Sequence, residues 1–241
     1  MKFKIDLSLI LLILIVISGY CKEEFFLYPK YKEYLKKKDI TVLENFFFKA
    51  DTKKKIVVLS FDDGPSKNGH DLIQILTKYK VPAVFFLITK KINRYNIVPY
   101  KSSLFSLGIH TYNHLNYDKL TYKEINTDME KSLQIFKKFK IQTYYFRPAY
   151  GVANKNLVNV LHHYSLKGIL WSLDSLDWKI SNQKEIINNV IRNVSPGSVI
   201  LMHETRTKPQ TLEIIIKKLQ KEGYEIVSLQ QLLNYPSKYP F

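Results

Sequence analysis

Ile56-Val57-Val58-Leu59-Ser60-Phe61-Asp62-Asp63-Gly64-Pro65 sets four apolar residues ahead of two adjacent carboxylates and a chain break. Ile56 to Leu59 read as a strand, and Gly64 and Pro65 as its end. A run apolar on both faces suits a parallel sheet covered by helices. On an extended backbone neighbouring side chains diverge, so Asp62 and Asp63 suit two separate tasks, one holding a metal and the other handling a proton. Taken alone, Ser60 to Pro65 is equally an ordinary turn, because Asp, Gly and Pro favour turns for backbone reasons. The surrounding sequence decides between these readings.

Similar apolar runs recur at Ala83–Ile88, Gly108–Thr111, Tyr144–Phe146, Gly168–Leu173, Ser198–Met202 and Tyr224–Val227. They alternate with helical patterns over Asp71–Tyr79, Tyr122–Phe139, Asn156–His163, Lys184–Asn193 and Thr211–Lys221. The alternation predicts an α/β fold, a barrel or incomplete barrel of about seven β/α units. No repeat, low-complexity tract or Pro/Gly linker interrupts it, so residues 56–235 are expected to form a single catalytic domain, with 236–241 as a tail. Residues 22–55 are aromatic and Lys-rich without a clean period, and 21–55 reads as an extension or spacer.

The charge balance is basic, 37 Lys and Arg against 21 Asp and Glu, a formal net charge of +16. The lysines are scattered (Lys36-Lys37-Lys38, Lys53-Lys54-Lys55, Lys217-Lys218) without a compact Arg-rich patch, which argues against nucleic acid as a partner. Met1-Lys2-Phe3-Lys4 followed by the apolar run Leu7 to Ile17 has the form of an export signal over residues 1–20. The expected location is the cell envelope, by secretion, by an uncleaved anchor, or by lipidation of Cys21. Cys21 is the lone cysteine, so the fold holds without an internal disulfide.

In a β/α barrel catalytic groups gather at the carboxyl ends of the strands. Asp62 and Asp63, His110 and His114, Arg147, Asp174 and Asp177, and His203 all fall at such ends, a convergence more telling than any single motif. In His110-Thr111-Tyr112-Asn113-His114 the two imidazoles stand four residues apart, so that both can reach one ion together with Asp63, or they are ordinary surface or core histidines. An Asp/His/His set leaves positions open for water and substrate; it also suits ferrous iron in an oxygenase, which would need neither Asp62 nor His203. His203 reads as a proton donor or a satisfied core histidine; a carboxylate from Asp177 would favour its charged form. Arg147 could hold Asp62 ionised, or form a purely structural salt bridge. Trp178 and Leu201 read as apolar walls.

Ser60-Phe61-Asp62-Asp63-Gly64-Pro65, His110-Thr111-Tyr112-Asn113-His114, Arg147-Pro148-Ala149-Tyr150-Gly151, Asp174-Ser175-Leu176-Asp177-Trp178 and Leu201-Met202-His203 resemble, in order, the five motifs of the polysaccharide deacetylases, the NodB-homology domain of carbohydrate esterase family four. The resemblance covers about Ile56 to Leu233. It implies a distorted (β/α) barrel and hydrolysis of N-acetyl groups on a glycan, with cell-wall peptidoglycan the first substrate and O-acetyl ester cleavage or non-catalytic glycan binding the alternatives. It implies Asp62 as general base, positioned by Arg147, and His203 as general acid, tuned by Asp177. Asp63, His110 and His114 would hold a divalent metal, zinc first and cobalt, nickel or another ion as alternatives. The Tyr150 N–H would steady the oxyanion, and Pro148, Trp178 and Leu201 would shape the pocket. Three residues depart from the family pattern: Ala149 for a second proline, Glu204 for Asp after His203, and Ile109 for Asn before His110.

Overall fold

The computed structural model describes residues 25–240. The export signal and Cys21 lie outside the described residues. In chain order the N-terminal part holds α1 (Pro29–Lys36), α2 (Ile40–Leu43), β1 (Phe46–Phe47) and β2 (Lys49–Ala50). The repeating part follows as β3 (Ile56–Gly64), α3 (Gly69–Lys78), β4 (Ala83–Leu87), β5 (Phe105–Ile109), α4 (Tyr122–Lys138), β6 (Tyr145–Phe146) and α5 (Lys155–His163). It closes with β7 (Lys167–Ile169), β8 (Leu173–Asp174), α6 (Gln183–Asn193), β9 (Val199–His203), α7 (Pro209–Lys221), β10 (Glu225–Ile226), α8 (Leu229–Leu232) and β11 (Ser237–Lys238).

The main sheet is parallel and runs β1-β7-β6-β5-β4-β3-β9-β8, with β10 beside the start of β3. β7 and β8 are two parts of one run, Lys167 to Asp174, yet they stand toward opposite ends of the strand order. The sheet therefore curls until this run bridges β6 on one side and β9 on the other, giving a distorted barrel. β3 is buried along nearly its whole length, as its two-sided apolar pattern requires. It extends through Asp62 and Asp63 because β9 pairs with it as far as Asp62↔His203. β4 and β5 are joined by two short 3₁₀ turns, Thr89–Lys91 and Val98–Tyr100, in place of an α-helix.

Residues 25–55 are built into the fold, where composition suggested a spacer. Phe46, Phe47 and Phe48 are fully or almost fully buried, and β1 adds to β7 at the sheet edge. Gly168 opposite leaves room for the Phe46 ring, which a Cβ would meet at 2.5 Å. Burying each such ring stabilises the fold by roughly 1.5–3 kcal/mol, which explains why an aperiodic aromatic stretch packs. β2 pairs antiparallel with β11, so part of the 236–241 tail is likewise held.

Candidate active site

β3 delivers its two carboxylates in different directions through a local irregularity. Its register against β4 shifts between Phe61 and Gly64, and Asp63 adopts a left-handed φ of 73°. A bulge of this kind re-aims side chains beside functional sites, and a non-glycine residue at positive φ is held there by its surroundings. Asp62 turns to Arg147, whose Nη1 donates to Asp62 Oδ1 at 2.8 Å and to Ser60 Oγ at 2.9 Å. Arg147 Nε and Nη2 donate to the carbonyls of Ile169 (3.1 Å) and Leu170 (2.9 Å). Arg147 is fully buried, and its guanidinium also lies 4.1 Å from the Phe86 ring centroid. A buried ion pair holds only when its remaining donors are satisfied. Here they are.

Asp63 turns instead to the histidines. His114 Nε2 lies 3.2 Å and His110 Nε2 3.6 Å from Asp63 Oδ1. The His110 Nδ1–H donates to the Arg147 carbonyl at 2.8 Å, the tautomer that leaves Nε2 free to coordinate. Burial pushes His110 toward its neutral form, against the pull of Asp62 and Asp63, and a ligand imidazole must be neutral. Burial alone would raise Asp63, but the hydrogen bond from His114 and the nearby imidazoles hold it well below the ordinary carboxylate range. The donor atoms of Asp63, His110 and His114 all lie within 4.8 Å of one another. Ligands about 2.0–2.2 Å from a zinc ion stand roughly 3–3.6 Å apart, a spacing that the two Asp63–imidazole separations of 3.2 and 3.6 Å match. Asp63 Oδ1 is buried and faces only the two imidazole nitrogens, an arrangement that coordination of one ion by all three groups would satisfy.

His203, at the end of β9, faces the same cleft. Its Nδ1 is 2.7 Å from Asp177 Oδ1, and its backbone N–H donates to Asp177 Oδ2 at 2.8 Å. Thr207 Oγ1 donates to that same oxygen at 2.7 Å. Burial disfavours the imidazolium, but Asp177, with Asp62 and Asp63 beyond it, lifts the His203 pKa to about 9. The cleft has a volume of about 460 Å³. Asp62, Asp63, His110, His114, Tyr150, Trp178, Leu201 and His203 all line it. Tyr150 sits in a 3₁₀ turn with φ 61° and is 61% exposed. Arg147 and Asp177 stand one layer behind. Pro148 does not reach the cleft: it is buried, and its carbonyl accepts the Gly151 N–H at 3.1 Å, so its part is to shape the turn.

The family model for polysaccharide deacetylase matches residues 49–169. The chain belongs to the polysaccharide deacetylase family. It is 32% identical over 194 residues to the peptidoglycan-N-acetylglucosamine deacetylase PgdA of Listeria monocytogenes, covering 76% of this chain and 40% of that relative. The chain thus spans well under half the length of that protein. Among solved structures, the Bc1960 peptidoglycan N-acetylglucosamine deacetylase superposes with a TM-score of 0.76 at 26% identity, over 84% of this chain and 100% of that one. A family-four pseudoenzyme from Bacillus anthracis superposes with a TM-score of 0.73 at 26% identity, over 78% and 68% of the two chains.

Within this member of the family the departures from the family pattern have local explanations. Glu204 is fully buried, and its Oε2 accepts from the Ser66 N–H (3.1 Å), Ser66 Oγ (3.0 Å) and Tyr100 OH (2.8 Å). Its longer arm occupies the space that Gly64 leaves free, where a Cβ would come within 1.9 Å of Oε1. Ile109 and Ala149 are both buried core residues.

Sequence reasoning missed three contributors. Asp128 on α4 accepts the Tyr112 N–H with both oxygens (3.0 and 3.1 Å) and the Tyr117 hydroxyl, so it braces the loop between the two histidines. That loop needs bracing, since Thr111 and His114 both have positive φ. Asp128 had a visible signal: it shares the helical face of Ile125, Met129, Ser132 and Phe136, where a carboxylate is out of place. Tyr28 and Tyr31 also line the cleft, and neither carried any local signal.

Proposed function

We propose that the protein is a metal-dependent hydrolase that removes N-acetyl groups from N-acetylglucosamine units of a polysaccharide, with cell-wall peptidoglycan as the favoured substrate. The observation that carries this reading is the separation of two charge systems around one cleft: Asp62 with Arg147, and His203 with Asp177. Between them lies the Asp63/His110/His114 set. Its two imidazoles and single carboxylate suit zinc. A divalent ion held there would polarise the amide carbonyl and lower the pKa of a water molecule.

The side chains of this protein supply the rest. Asp62, kept oriented by Arg147, takes the proton from the attacking water. The Tyr150 N–H donates to the oxygen on which charge develops. His203, kept protonated by Asp177, gives its proton to the departing amine, leaving acetate and a glucosamine unit. Trp178 and Leu201 enclose the acetyl methyl. Against a non-catalytic role, this chain carries side chains for the base, the acid and the ligand set in one cleft. Location in the cell envelope follows from the basic, apolar N-terminus and from the substrates named for the relatives.

Acetate release from purified peptidoglycan, chitin oligosaccharide and acetylated xylan, measured side by side, tests the reading. Release from the first two above xylan is the expected result. Preference for xylan would establish an O-acetyl esterase, and release from none would overturn the hydrolase reading.

A further inference from the structure

The N-terminal segment ahead of the family-matched region reaches the cleft and stays there. Phe26 lies along the free side of β8 as a parallel bridge to Leu173. Its N–H donates to the Ser172 carbonyl and its carbonyl accepts the Asp174 N–H, both at 2.8 Å. Phe25 and Leu27 are buried on either side, so the strap is anchored as core. Tyr31 stacks on Trp171 with ring centroids 4.8 Å apart, and its hydroxyl donates to the Gly151 carbonyl at 3.2 Å. That bond ties the strap to the turn carrying Tyr150.

Tyr28 is the residue this arrangement presents. Its ring stands at 86° to that of Trp178, with centroids 5.1 Å apart, and Lys179 Nζ sits 4.6 Å from its centroid. Two large rings at right angles make a corner, and Trp178 remains 41% exposed within it. A half-open aromatic corner, with an ammonium over the Tyr28 ring and Trp178 partly exposed, matches a sugar ring, which offers apolar C–H faces to the indole and a hydroxyl edge to the ammonium. The acetamide to be cleaved is attached to a polymer, so sugars flanking the reacting one must lie somewhere along the cleft walls.

We propose that Tyr28, carried in by the N-terminal strap, is a glycan-binding residue that, together with Trp178, receives a pyranose ring next to the one being deacetylated. Tyr31 is a positioning residue that fixes the strap against the Tyr150 turn. The proposal rests on the deacetylase reading above.

The test compares the full chain with Tyr28→Ala and Tyr28→Phe on an N-acetylglucosamine hexamer and on 4-nitrophenyl acetate, which has no flanking sugar. In Tyr28→Ala the hexamer KM should rise about three- to tenfold, the scale of one lost aromatic contact. Its kcat and its ester hydrolysis should stay within about twofold of wild type. Tyr28→Phe, which keeps the ring, should restore the hexamer KM. An unchanged hexamer KM in Tyr28→Ala, or an equal loss on both substrates, overturns the assignment while leaving the deacetylase reading intact. A wild-type protein that hydrolyses the ester but releases no acetate from the hexamer overturns both.

Discussion

Asp62 and Asp63 are neighbours in sequence and belong to different chemical systems in space. Arg147 holds the first and two imidazoles face the second, and the bulge in β3 separates them. The pairing was legible as two tasks, because adjacent residues of a strand diverge. The left-handed φ of Asp63 was not, since it depends on how β3 meets β4. Asp62→Asn keeps an oxygen for Arg147 and removes the base, so acetate release should fall by about a hundredfold or more. Activity near that of wild type would refute the assignment. His203 must donate a proton, so acetate release should decline on the alkaline side as pH rises through about 9. Asp177→Asn should move that limb toward lower pH, and an unmoved limb would show that Asp177 does not tune His203. The sign for stability is the same. The folded pKa lies above the ordinary histidine value of about 6.5, so the His203–Asp177 pair stabilises the fold fully below that pH and loses its contribution as pH rises through about 9.

At the scale of elements, the helices and strands of the repeating part were legible because their hydrophobic periods are plain. α4 shows the 3.6-residue period and a Thr121/Glu124 capping box at its start. The N-terminal elements were not legible: Phe46-Phe47-Phe48 has neither period, and only the neighbouring β7 and the space above Gly168 give it a place. Phe46→Ala should therefore cost about 3–5 kcal/mol in a urea unfolding measurement. A cost under about 1 kcal/mol would mean that β1 is not part of the cooperative core. Asp128 acts from α4 on the loop between the metal-facing histidines. Asp128→Asn should weaken zinc binding about 10- to 100-fold in a chelator competition titration, with the fold retained. Undiminished affinity would show that the loop holds its shape without it.

The whole molecule is a curled parallel sheet whose carboxyl edge collects residues from five separate strand ends, and whose N-terminal strap closes one side of the resulting cleft. Convergence of that kind is readable from a sequence, because strand ends in a β/α fold share one face. The strap was not readable, since its attachment runs through backbone bonds at Phe26 and ring contacts at Tyr28 and Tyr31 that leave no period or motif. The basic charge of the chain is spread over scattered lysines, and among the described residues no helix is long and apolar enough to cross a membrane. Chemistry is concentrated where two ion pairs, Asp62–Arg147 and His203–Asp177, flank one ligand set. Bound zinc per chain in Asp62→Asn and in Asp63→Asn, measured by elemental analysis on the purified full-length proteins, tests that division of labour most directly. Wild-type zinc content in Asp62→Asn with loss of zinc in Asp63→Asn is the predicted result, and equal retention or equal loss in the two variants would contradict it.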